Sequence, residues 1–329
     1  MSKEQSAIVK GFAILMMLLY HLSCIPKIQD LDIFTSTLSS ISHPILYFLV
    51  VSGYGLYCVY KQGRMTWSYL LKRSLKLYLA YWVVLLIFVF GIATWMYPDR
   101  FHYSPTGVVL NFLGWRWDYC KFTWFLLPYV LMCLSSKWVF RIIDRFGIVA
   151  SLIVAFLLYI LATFCIGRYY PTWLRYHYVA YHFVLWLQTL LGLTVGASMA
   201  HMVTEGKSIV WDKLKGKNLL LLAVFVVSVL IRRLLPFPGI HPFHVVLIIW
   251  LILHFDWNGP VKRVFVELGD KSMIMWFVQG FLAVYMFAEY MVQLRWPLLI
   301  WIVWTIICYA VACLLKPVIN GLARLLRLS

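Results

Sequence analysis

The chain has 329 residues, 63% of them hydrophobic and only 12% charged, with a mean hydropathy of +0.84. A soluble domain carries about a quarter charged residues, so this composition excludes the soluble class and describes an integral membrane protein. The formal net charge of +17 would point to nucleic acid in a soluble chain; here it reflects Lys and Arg gathered on cytoplasmic loops, and no nucleic-acid partner is expected.

Apolar runs of span length predict an all-α bundle of ten transmembrane helices in a single domain, 1–329. The limits are 7–25, 41–61, 74–97, 122–140, 148–166, 178–200, 218–236, 241–256, 271–291 and 296–317. The eighth is short enough to be broken or re-entrant. No internal repeat or low-complexity tract interrupts the series. The N-terminus, the even-numbered loops and the C-terminus hold 20 of the 29 Lys and Arg residues. Both termini are therefore expected in the cytoplasm. The seven cysteines are scattered without a C-x-x-C pair, and are read as small packing residues, neither a disulfide framework nor a metal site.

The first helix opens on Lys10 and carries His21 near its far end. Eleven residues of helix turn about 1,100°, so the two share one face, roughly 16 Å apart along the axis. Ionisable groups on a membrane helix face a bundle interior or a water-filled path. Lys10 also suits a snorkelling anchor. No small-x-small site follows, so the helix is expected to be retained rather than cleaved as a leader. In the second span Ser52, Gly53 and Gly55 allow close helix approach, or Ser52 offers its hydroxyl to a passing ligand. Lys72, Arg73 and Lys76 then fall within one turn at the cytoplasmic mouth of the third span. They fit topology determinants and anionic-lipid contacts, or a phosphate clamp.

The outer loops are aromatic. Trp115, Trp117 and Tyr119 interleave with Arg116 and Asp118, and Tyr169, Tyr170, Trp173, Tyr176 and Tyr178 crowd the next outer loop. An interfacial belt explains them; a flat platform for sugar rings is the alternative. His177, His182, His241 and His244 have no ligand spacing and are read as structural. Arg232 and Arg233 depart from the charge pattern without an account.

Six segments in order resemble a known family: IVKGFAILMMLLYH, YFLVVSGYGL, LLKRSLKLYLAYW, TWFLLPYVL, LGDKSMIMWFVQ and LLKP at 314–317. They are similar to the basic-x10-His, aromatic-x-x-x-Ser-Gly, Arg-x-x-Arg, Trp-Phe-Leu, Leu-Gly-x-x-Ser and Lys-Pro motifs of the acyltransferase family 3 membrane enzymes. The resemblance implies a multi-pass protein of the cell membrane, the bacterial inner membrane in particular. It would move an acyl group, acetyl foremost, from cytoplasmic acyl-CoA to a hydroxyl of a cell-surface or lipid-linked carbohydrate. His21 would be the general base or carry a covalent acyl group. Lys10, Lys72, Arg73 and Lys76 would bind acyl-CoA, Ser52 and Trp124 would support the pocket, and Trp115, Trp117, Tyr170 and Trp173 would meet the acceptor. No permanently bound cofactor or metal is implied; acetyl-CoA or another acyl-CoA is the co-substrate. Membrane lipid is a further partner, and a homodimer is left open.

The sequence departs from the pattern in places. Lys10 and Lys76 replace arginines, which keeps charge but loses the planar fork. Gln279 stands where many members carry a late His, Tyr129 follows Pro128 where the O-antigen acetylase branch has a glutamate, and no extracellular hydrolase domain is expected. A transporter or flippase for a lipid-linked sugar is the rival reading, weakened by the lack of an inverted repeat and of a mid-membrane carboxylate other than Glu289. A family member that binds without catalysing is the third.

Overall fold

The computed structural model describes residues 1–24, 44–97, 103–235, 237–282 and 288–328, which contain helices and turns and no strand. The first half comprises α1 (Lys3–Ser23), α2 (Pro44–Lys61), α3 (Trp67–Val84), α4 (Pro105–Phe112) and α5 (Leu126–Tyr169). A π-wound stretch at Leu85–Ala93 and a last turn at Thr94–Met96 continue α3. The second half comprises α6 (Tyr178–Thr204), α7 (Asn218–Leu234), α8 (His241–His254), α9 (Gly259–Phe281), α10 (Ala288–Gln293) and α11 (Pro297–Leu325). Among the described residues, five segments are long and apolar enough to cross a membrane: Lys3–Leu22, Trp67–Met96, Lys121–Tyr169, Tyr178–Thr204 and Pro297–Leu325. The expected loop at 26–40 and the stretch 283–287 of the ninth expected span lie outside the described residues, as does the side chain of Glu289.

Local hydrogen bonds move several helix starts from the hydropathy limits. α1 begins at Lys3 rather than residue 7 because Ser2 and Gln5 form a capping box. Gln5 N–H donates to Ser2 Oγ at 3.0 Å, and Ser2 N–H donates to Gln5 Oε1 at 2.7 Å. α3 begins at Trp67 rather than 74, since the Thr66 hydroxyl accepts from Tyr69 N–H at 3.1 Å. Lys72, Arg73 and Lys76 therefore lie within the helix and not at its mouth. α9 begins at Gly259, where Pro260 supplies a first-turn residue with no N–H to satisfy.

The long helix α5 is folded double. Gly147 has φ 81° and ψ 168°, a conformation that favours glycine. Trp186 Nε1 donates to Ser135 Oγ at 2.9 Å, and Gln188 Nε2 donates to Thr163 Oγ1 at 3.2 Å. The two donors are about 3 Å apart along α6, whereas Ser135 and Thr163 on a straight helix would be about 42 Å apart. The chain turns back at Gly147, so both arms lie against α6. The two arms cover the residues expected as spans at 122–140 and 148–166.

Two glycine-lined interfaces hold the centre. A Cβ on Gly11 would strike the Phe265 carbonyl oxygen and one on Gly269 the Ala7 carbonyl oxygen, so α1 and α9 touch backbone to backbone. Gly53 against Leu193 and Gly196 against Val50 do the same for α2 and α6. Close backbone approach of this kind holds apolar helices together where the surroundings are equally apolar. Leu219 and Leu234 on α7 and Leu314 on α11 point outward, as a hydrocarbon-facing exterior requires. None of the seven cysteines forms a disulfide; Cys120, Cys133 and Cys308 are buried as expected of packing residues, and Cys24 is exposed.

Candidate active site

The site is strung along one face of α1. Measured from Lys10, Met17 lies about 700° on and His21 about 1,100° on, so all three fall within roughly 20° of one stripe. Two cavities open on that stripe.

The inner one, about 420 Å³, is lined by Lys10, Ser52, Arg73, Tyr129, Asp270 and Ser272 among others. Its centre is the Tyr129 hydroxyl. Arg73 Nη2 donates to it at 3.0 Å, and Ser52 Oγ lies 2.8 Å from it. Arg73 Nε is buried without a hydrogen bond of regular geometry, and the Cys133 thiol faces the guanidinium. Among the described residues no carboxylate forms an ion pair with Arg73 or Lys10. Asp270 is held by Lys316 and, at 3.8 Å, by Lys271. A buried guanidinium without a carboxylate partner among the described residues suits an anionic ligand.

The outer cavity is about 180 Å³ and is lined by His21, Tyr20, Trp124, Tyr159, Gln188 and Thr189 among others. The His21 ring stacks on Phe122 with centroids 4.1 Å apart and planes at 27°. Phe122 is placed by the short 3₁₀ turn Lys121–Thr123 before α5, and its carbonyl accepts from Trp276 Nε1 at 3.0 Å. His21 Nδ1 and both amide atoms of Gln279 are buried without hydrogen bonds of regular geometry, and the Gln279 side chain faces the imidazole. Gln279 thus stands beside His21 although it is not a second histidine.

Met17, Phe125 and Trp276 line both cavities. These three side chains stand between the two cavities as a shared wall.

No protein-family model, curated protein or solved structure matches this chain. The chemistry of the site is therefore argued from its own geometry.

Other expected site residues are placed as follows. Lys72 is exposed and Lys76 half-buried, and neither lines either of these two cavities. The basic cluster contributes Arg73 alone, because Lys72 and Lys76 share a helix face and Arg73 is turned about 100° from Lys72. Trp124 lines the outer cavity and packs edge-on against Phe125 at 5.7 Å. Trp115 and Trp117 pack into their own cluster rather than an open platform. Trp115 lies 5.2 Å from the His182 ring, and its carbonyl accepts from His182 Nε2 at 2.9 Å. Trp117 meets Tyr181 at 5.3 Å, and Tyr170 meets the same ring at 5.2 Å. Trp173 stacks on His177 at 4.2 Å and stays exposed. Trp117 and Trp124 both pack on the Leu174, Tyr181 and Leu185 cluster, so the aromatic group adjoins the His21 cavity through Leu185.

His244 and Arg232 have structural partners. His244 Nε2 lies 3.2 Å from Ser228 Oγ. Arg232 donates to the Leu235 carbonyl at 3.1 Å, a cationic cap at the end of α7 that explains its position.

Sequence reasoning missed Met17, Phe122 and Gln188, and treated Tyr129 only as a departure from a motif. Met17 had a legible signal, its place on the Lys10–His21 stripe.

Proposed function

We propose that the chain is a multi-pass O-acyltransferase of the cell membrane, with ten spans and both termini cytoplasmic. The donor is an acyl-CoA, acetyl-CoA foremost, and the acceptor a hydroxyl of a surface or lipid-linked carbohydrate. The observation that carries this reading is the stacking of a cationic cavity and an imidazole cavity along one face of α1. The six motif-like segments and their order support it.

In this reading the phosphates of CoA neutralise Arg73 and Lys10, and the extended pantetheine arm runs along the α1 stripe toward His21. His21 takes the proton of the acceptor hydroxyl as its oxygen attacks the thioester carbonyl. The tetrahedral intermediate expels the CoA sulfur, which receives the proton from the imidazolium. Ester and free thiol leave, and His21 returns to its starting state. Phe122 fixes the ring plane.

The purified protein in detergent should be thermally protected by CoA and by acetyl-CoA. His21→Ala should keep that protection and lose transfer to a surface-glycan extract. Full transfer by His21→Ala removes the mechanism. Absence of any protection of the native chain favours movement of a lipid-linked sugar without acyl chemistry.

A further inference from the structure

The wall between the two cavities is made of three unequal side chains. Trp276 is anchored by its indole N–H to the Phe122 carbonyl and packs against Phe277, with centroids 4.6 Å apart. Phe125 is wedged among Trp124, Tyr129 and Trp276, with centroids 5.7, 6.0 and 6.0 Å away. Both rings are boxed in by other rings. Met17 is different. It is unbranched, has three rotatable bonds and offers no group for a hydrogen bond to pin. It also sits between the cationic and the imidazole ends of the site, about 10 Å along α1 from Lys10 and about 6 Å from His21. Any group passing from the Arg73 side to the imidazole along this stripe meets the Met17 thioether.

The space beyond the wall is small. A cavity of about 150 Å³ holds one benzene-sized guest, and the outer cavity is about 180 Å³. That volume suits a short acyl group beside an acceptor hydroxyl.

We propose that Met17 is the movable part of the wall, and that its side chain decides which acyl groups reach His21. The inference rests on the acyl-transfer reading above. Short acyl groups pass when the thioether rotates aside; longer ones remain in the inner cavity with the CoA bound.

The test uses haloacyl-CoA probes on the whole purified protein. In bromoacetyl-CoA an imidazole nitrogen of His21 displaces bromide at the α-carbon. A nitrogen–carbon bond forms, the carbon–bromine bond breaks, and the imidazole proton goes to solvent. The adduct is read by peptide mass spectrometry. Native protein should be labelled at His21 by bromoacetyl-CoA and not by 2-bromooctanoyl-CoA. Met17→Trp should slow the bromoacetyl label about tenfold or more, the scale of a misfit in an apolar pocket, while free CoA still protects it thermally. Met17→Ala should speed that label and admit the bromooctanoyl probe.

Equal labelling in all three proteins overturns the role of Met17 and leaves the acyl-transfer reading intact. Should Met17→Trp fail to fold, Met17→Ala decides alone: unchanged chain-length preference overturns the proposal. A native protein that free CoA does not protect overturns the underlying reading and this inference with it.

Discussion

The inner cavity has more than twice the volume of the outer, about 420 against about 180 Å³, and charge lines it where aromatic rings line the other. Its polar groups come from several helices and hold one another: Arg73 on α3, Tyr129 on α5 and Ser52 on α2. The outer cavity has a single imidazole held by stacking on Phe122. The difference separates two tasks. Under the proposed function, a cationic cavity with no carboxylate on Arg73 among the described residues recognises by charge, and a small ring-walled cavity recognises by shape while it orients one base.

The sharpest break of that division is His21→Ala. It should lower acyl transfer by about 10²–10⁴-fold, the range of a lost general base, with CoA affinity unchanged in an equilibrium titration. Arg73→Ala should do the reverse. It should weaken CoA binding about 10- to 100-fold, the scale of hydrogen bonds to a charged group, with little change in saturated turnover. Arg73→Lys should fall between the two, since it keeps charge and loses the fork. An unchanged affinity in Arg73→Ala would show that the inner cavity does not bind CoA.

Phe122→Ala sharpens the comparison within the outer cavity. Removing a stacking partner is worth about 0.5–1.5 kcal/mol, so turnover should drop about 2- to 10-fold at constant CoA affinity. A change in affinity instead would show that the Phe122 ring also shapes the inner cavity.

The smallest effect lies away from both cavities. Tyr57, Asp144 and Lys61 join through bonds of 2.8 Å, and His201 links Tyr57 at 2.7 Å to Glu205 at 2.7 Å. The hydrogen bond from Lys207 holds the Glu205 carboxyl below its usual range, with the His201 charge adding to it. What that carboxylate contributes is present above its unfolded pKa and is lost as pH falls through the lower folded value. Because Glu205 is exposed, Glu205→Gln should leave the thermal midpoint at neutral pH unchanged. A clear fall would show that this chain of bonds clamps α2, α5 and α6 together.

Much of the helical framework was legible because hydropathy and helix geometry are local. The break between 140 and 148 appears as the Gly147 turn, and the stripe shared by Lys10 and His21 is one on which both cavities open. Helix ends were less legible. Ser2 and Thr66 override the hydropathy limits, since a cap needs one hydroxyl and no apolar run. The clamp of Lys72, Arg73 and Lys76 was drawn too wide, because charge density along a chain does not say which face turns inward.

What the sequence determined alone is whatever one helix can encode: apolar length, capping and the angular spacing of Lys10, Met17 and His21. Tertiary structure decided the rest. Tyr129 meets Arg73 and Ser52 from positions 56 and 77 residues away, and Met17 becomes a wall only once Phe125 and Trp276 arrive beside it. Such meetings depend on how closely glycine-faced helices approach, which periodicity along one chain segment does not specify.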